Sequence, residues 1–231
     1  MTVEQNVLPR ALSLAVHELR TPVTVVAGYL RMLLREQAGP LNDKQKKMLE
    51  EADRSCARLT AIVAEMSELG KLEGREVAMA RQEFDVCALA AELASGMHEG
   101  QDRGVTLEVR TSSPIMVTGD RTRVAAALKA LMHSALRERG EPGAIVVQCS
   151  ELQGNPAWAV VAIGDESTLT PLSHAAQGAG APPTFDEWRG GLGLALPVAR
   201  RVIEAHGGAL WSAADGTHSR AASALRLPLR T

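Results

Sequence analysis

His17-Glu18-Leu19-Arg20-Thr21-Pro22 places an imidazole, a carboxylate and a proline inside an otherwise strongly helical stretch. Around it Leu12, Val16, Leu19, Val23, Val26, Leu30 and Leu33 are spaced by alternating steps of four and three, the pattern of a helix packed in a bundle. His17 falls one position past the seam residue Val16, which turns its ring toward solvent with Glu18 beside it. Pro22 has no N–H for the carbonyl of Glu18 and crowds that carbonyl, so the helix is expected to bend or loosen there at a cost of roughly 3 kcal/mol. On composition alone these are equally an ordinary surface histidine and an ordinary kink. A cost of that size in mid-helix nonetheless points to function.

Working outward, the first helix is expected to stop near Gly39-Pro40. A second helix, capped by Asn42 or Asp43, repeats the three-four alternation at Leu49, Ala52, Cys56, Leu59, Val63 and Met66, which predicts an antiparallel hairpin. Two helices with narrow apolar seams cannot bury both alone. A homodimer closing a four-helix bundle supplies the missing half of the core. After Lys71-Leu72-Glu73-Gly74 the pattern changes, so the domain boundary is set near residue 78, dividing 1–77 from 78–231. Beyond it a helix is expected over Phe84–Met97, a strand over Val105–Arg110, a long helix over Asp120–Arg139, and strands over Ala144–Cys149 and Trp158–Ile163. A Gly-, Ala- and Pro-rich loop over Thr168–Pro183 leads to Gly190-Gly191-Leu192-Gly193, a helix to Ala205 and a hairpin-like end over Ala209–Leu229. The fold class is therefore α+β: a helical hairpin followed by an α/β sandwich.

A chain of 231 residues can bury a core in each of two modest domains. A net charge of −2 gives no reason to expect nucleic acid or an anionic membrane as the main partner. The cysteines, Cys56, Cys87 and Cys149, lack metal-type spacing and read as buried free thiols in a reducing compartment. No apolar run approaches the ~20 residues that span a bilayer, so a cytoplasmic protein without a membrane span is expected. No stretch reads as a sensor domain.

The order of motifs resembles the sensor histidine kinases over about residues 8–229. His17 to Pro22 looks like that family's phosphoacceptor box. Gly191-Leu192-Gly193-Leu194-Ala195 followed by His206-Gly207-Gly208 looks like the second glycine box and following segment of its ATPase domain, where glycines bring backbone close to phosphates at a helix N-terminus. Leu225-Arg226-Leu227-Pro228-Leu229 resembles its last strand. The resemblance implies that His17 carries phosphoryl, with Glu18 as the base. Arg20 fits the pattern, and Thr21 is placed one turn on to orient a water. It further implies ATP and Mg²⁺ as cofactors, Asp165, Gly191, Leu192 and Gly193 as the nucleotide site, and a response-regulator receiver domain as partner.

The departures are as informative. Aligning Asp120-Arg121-Thr122-Arg123-Val124 to the start of the family's long helix puts Ala130 and Ser134 where asparagines stand, and a serine hydroxyl is a poor substitute for a magnesium ligand. His133 is nearby, but imidazole suits softer metals. Asp165 stands where the family's aspartate accepts from adenine, yet Ser167 and Leu169 replace the glycines that follow, and a plain loop aspartate is an equal reading. Phe185-Asp186-Glu187-Trp188 is either a remnant of an aromatic lid motif or an aromatic anchor, on a loop short for a lid. Two functions follow: a dimeric histidine kinase using ATP, or a phosphotransfer or scaffold protein that keeps the bundle and His17 but has lost ATP chemistry.

Overall fold

Helix α1 (Val7–Leu34) and helix α2 (Asp43–Glu73) form the hairpin that the two seams predict. The computed structural model describes residues 7–74, 77–111, 113–154, 156–177, 184–188, 193–212 and 222–229. Contacts divide the chain into two compact units, Met1–Val77 and Ala78–Thr231. In the first, α1 stops earlier than the Gly39-Pro40 expectation. Glu36 adopts a left-handed conformation (φ 55°), and the N–H groups of Glu36 and Gln37 donate to the carbonyls of Leu33 and Met32, closing the helix end. Asn42 caps α2 reciprocally: its side-chain oxygen accepts from the Gln45 N–H, and the Gln45 side chain accepts from the Asn42 N–H, both at 2.9 Å.

The hairpin buries only part of each seam. Val16, Cys56 and Val63 are buried, whereas Leu19 is 43% and Leu59 52% exposed. α1 runs unbroken through Pro22, so the expected loosening does not interrupt the helix.

The second unit is built on a five-stranded mixed sheet. Its strands are β2 (Val105–Arg110), β4 (Gly143–Leu152), β5 (Trp158–Gly164), β6 (Ala209–Ser212) and β7 (Ser223–Pro228), in the order β2-β4-β5-β7-β6. Among the described strands only β2 and β4 pair in parallel. A two-stranded ribbon of β1 (Gln82–Asp85) and β3 (Met116–Gly119) joins the end of β7 through an antiparallel bridge between Val117 and Leu229. Helices α3 (Val86–Ser95), α4 (Arg121–Glu138) and α6 (Ala195–Ala205) pack against the sheet, toward the side chains of Ile145, Val147, Val161, Ile163, Leu225 and Leu227.

Two expectations need correction. Phe84 does not begin a helix: it lies in β1 opposite Val117, and α3 starts only at Val86 because Asp85 caps it, its carboxylate accepting from the Cys87 N–H at 2.9 Å. The stretch expected as a loop over Thr168–Pro183 instead begins as helix α5 (Glu166–Gln177); residues 178–183 lie outside the described ones. Burial overrides the helix-breaking Pro171, since Leu169 and Leu172, three apart, share a cluster with Val146, Val160, Ala162, Trp211, Ala222 and Ala224. Those strand residues alternate with the set that faces the other helices, so α5 covers the opposite side of the sheet. The fully buried indole of Trp211 donates its N–H to the Leu172 carbonyl at 3.3 Å.

Replacing Leu172 by Ala should therefore cost about 2–5 kcal/mol in chemical denaturation, the price of a core cavity. A change within ~0.5 kcal/mol, as for a surface loop, would refute the docking of α5.

Candidate functional site

His17 stands exposed on α1 directly after buried Val16, the placement the heptad predicts. Glu18, Arg20 and Thr21 are exposed with it. Residues three and four apart share a helix face, so Arg20 and Thr21 lie one turn from His17. Beside His17 a groove of about 390 Å³ opens between α1 and α2, lined by Pro9, Arg10, Ser13, Val16, His17 and Arg20 on one wall and Ser67, Gly70 and Lys71 on the other. The helices approach closely at buried Gly70, where a Cβ would already stand 3.4 Å from the Leu12 Cβ. Past Pro22 the Thr24 hydroxyl donates to the Arg20 carbonyl at 2.8 Å. Sequence reasoning singled out His17, Glu18, Arg20 and Thr21 but not Arg10 or Lys71, whose place in this groove no local motif announces.

In the second unit Asp165 follows β5 and is taken up by the start of α5. One carboxylate oxygen, Oδ1, accepts from the backbone N–H groups of Ser167 and Thr168 at 3.1 and 3.2 Å and from their hydroxyls at 2.6 and 3.1 Å. The other, Oδ2, faces the Arg139 guanidinium at 3.5 Å. Burial alone pushes this carboxyl up, but the donors from Ser167 and Thr168 and the charge of Arg139 outweigh it and hold Asp165 below the usual carboxylate range. Arg139 had no signal in the sequence, because it reaches Asp165 from the end of α4.

Ser134 is fully buried on α4, and its hydroxyl is given to Glu138 at 3.2 Å. Ala130 on the same helix has no ligand atom, and the His133 ring is paired with Glu99. Among the described residues no group of three or more His, Cys, Asp or Glu side chains is placed to hold a metal ion. Gly193 takes a left-handed conformation (φ 66°) just before α6, which suits glycine, while Gly191 and Leu192 lie outside the described residues. The His206 Nδ1–H donates to the Val202 carbonyl at 2.7 Å, and its Nε2 accepts from the Asp120 N–H at 2.9 Å, so this ring joins the end of α6 to the start of α4. Asp120 in turn caps α4. Burial raises its carboxyl, but the Arg123 backbone and guanidinium and the Ala80 N–H prevail and hold it below the usual range. Asp165 Oδ1 is committed to the start of α5 while Oδ2 meets Arg139 at 3.5 Å, and Ala130 and Ser134 supply no magnesium ligand, the Ser134 hydroxyl being turned to Glu138.

Residues 10–75 match the model of the His Kinase A (phospho-acceptor) domain. Over 198 residues the chain is 24% identical to the sensor protein DivL of Caulobacter vibrioides, covering 83% of this chain and 24% of DivL. It is 27% identical over 203 residues to the signal transduction histidine-protein kinase BarA of Escherichia coli, covering 83% of this chain and 22% of BarA. The chain thus spans about a quarter of the length of these curated relatives. Among solved structures, full-length ShkA in complex with AMPPNP superposes with a TM-score of 0.72 at 21% identity over 96% of this chain and 46% of that one. The histidine kinase AdeS of Acinetobacter baumannii gives a TM-score of 0.58 at 21% identity, over 93% of this chain and 98% of that one. A phosphoacceptor-type hairpin followed by a mixed-sheet α/β unit is the class these features define. Residues 10–75 belong to the His Kinase A (phospho-acceptor) family, and the chain as a whole is similar to sensor histidine kinases. Among the described residues no helix is long and apolar enough to cross a membrane.

Because Asp165 and Asp120 are depressed in the fold, the stability they confer is present above the unfolded carboxyl value of 3.8 and is lost as pH falls through the folded value. Urea midpoints should fall progressively as pH drops below about 5. Asp165→Asn should lose about 1 kcal/mol at neutral pH, as a weakened cap does, and show a shallower acid slope. An acid slope identical to that of the wild type would refute the role of this carboxylate.

Proposed function

We propose that the protein is a two-component signalling component in which His17 carries a phosphoryl group and exchanges it with the aspartate of a response-regulator receiver domain. The observation that carries this reading is the exposed His17, followed by Glu18 and one turn from Thr21, inside the segment matching the phospho-acceptor domain. When the receiver's acyl phosphate is the donor, its P–O bond breaks as a ring nitrogen of His17 forms the P–N bond. The proton of the other ring nitrogen goes to Glu18. The reverse reaction regenerates the acyl phosphate, and Thr21 is set to orient a water when the receiver is dephosphorylated.

Ala130, Ser134, Ser167 and Leu169, standing where the family carries nucleotide-site residues, support the ATP-deficient reading over an ordinary autokinase. The AMPPNP complex of ShkA supports nucleotide binding in this fold. Here the partners of Asp165 and the buried Ser134 hydroxyl support weak ATP binding with little help from Mg²⁺. The phosphoryl group then reaches His17 from a partner. The half-buried seams, with Leu19 and Leu59 exposed, support a homodimer as the working form. Three buried free cysteines support a reducing, cytoplasmic setting, and the net charge of −2 supports a protein rather than nucleic acid as partner.

With a phosphorylated receiver as donor, radiolabel should move to the wild-type chain and not to His17→Gln. Equal labelling of the two would refute His17 as the carrier. Calorimetric titration should show no tight magnesium-dependent ATP binding; tight binding would restore the autokinase reading. Leu19→Glu should convert the dimer to monomer or aggregate in light scattering, because burying an unpaired charge costs several kcal/mol. A stable wild-type monomer at micromolar concentration would rule out the dimer.

A further inference from the structure

We propose that the groove beside His17 is a phosphate-holding site, in which Arg10 and Lys71 approach the phosphoryl group while His17 carries it. This rests on His17 being the phosphoacceptor. The charged side chains lining the groove are Arg10 and Arg20 from α1 and Lys71 from α2, with His17 between them; among the described residues no acidic side chain lines it. None of these three cations makes an ion pair with a described residue. Ser13 and Ser67 add a hydroxyl from each wall, and Gly70 lets the walls come close enough for one group to meet both.

Helix periodicity keeps the groove open in a dimer. Arg10, Ser13 and Arg20 stand seven before, four before and three after His17, all on its face of α1. Leu19, on the exposed seam, is two residues on and so about 200° around the helix. The partner-facing side of the hairpin is therefore not the side that holds the phosphate. A phosphorylated histidine carries close to two negative charges near neutral pH, and cations within one side-chain length favour its fully ionised form. The occupant has the chemistry of a phosphoramidate dianion.

The test uses the full chain phosphorylated with phosphoramidate, with the phosphohistidine signal followed by phosphorus NMR as pH is varied. The titration midpoint of the phosphoryl group in the wild type should lie about half a pH unit below that in the double variant Arg10→Met, Lys71→Met. The single variants Arg10→Gln and Lys71→Gln should fall between them, and Lys71→Arg should behave as wild type. Salt at about 1 M should abolish the difference. The three residues replaced here, Arg10, His17 and Lys71, are exposed helix positions, so thermal melts serve as the folding control. Equal midpoints in wild type and variants, with the signal present, overturn the groove and leave the phosphoacceptor assignment standing. A wild-type spectrum identical to that of His17→Gln overturns the phosphoacceptor assignment itself, and the groove with it.

Discussion

The hydrogen bonds made by the Asp165 carboxylate govern how the second unit is put together. A chain leaving β5 at Gly164 has to turn, and the donors that meet Asp165 at once are the N–H groups and hydroxyls of Ser167 and Thr168, which commits the next residues to helix. Once α5 starts there, Leu169 and Leu172 fall on the sheet, the Trp211 N–H finds the Leu172 carbonyl, and Glu166 at the helix start reaches Arg110 on β2. A cap is worth about 1 kcal/mol, whereas fully burying two leucines is worth roughly 1.5–3 kcal/mol each. The cap sets the register, and apolar burial holds it. Taking Asp165 Oδ1 away from these donors would uncap α5 and loosen a helix that closes one face of the core.

In the hairpin the surface of α1 is divided by helical periodicity into three strips. One, through Val16, faces α2; a second, through Leu19 and Val26, is left half-exposed; a third, through His17 and Arg20, is polar. With about 100° per residue, adjacent residues 16 and 17 belong to different strips, which is how a reactive side chain sits against a packed seam without entering it. Pro22 is tolerated in this setting because the helix is held by tertiary packing on both sides of it rather than by each hydrogen bond in turn.

What was legible in the sequence follows the same physics. The heptads, the capped helix from Asp120, and strands such as Val105–Arg110 were legible because each announces itself over many residues. Helix α5 was not, because Pro171 and the small residues after it suppress local propensity, and its reason for forming lies in Val146, Val160 and Trp211, distant in sequence. The four residues of β3 were missed because they make sense only beside β1. At the site, His17 and its neighbours could be read from one hexapeptide. Arg139 meets Asp165 from 26 residues away, and Lys71 meets the His17 groove from another helix, so both are products of folding rather than of motif.

The two units treat their polar groups in opposite ways, and this asymmetry bears on function. A site prepared for a ligand keeps donors and acceptors aimed at empty space, because groups already satisfied inside the fold gain little by binding something else. In the second unit Asp165, Asp120, Ser134 and His206 each have partners supplied by the fold. In the hairpin, Arg10, Arg20 and Lys71 line an open groove without ion-pair partners among the described residues, beside an exposed imidazole. Among the described residues, the polar capacity that the hairpin leaves unspent is concentrated beside the exposed His17, whereas the polar side chains of the sheet unit are committed to its helix starts and helix contacts.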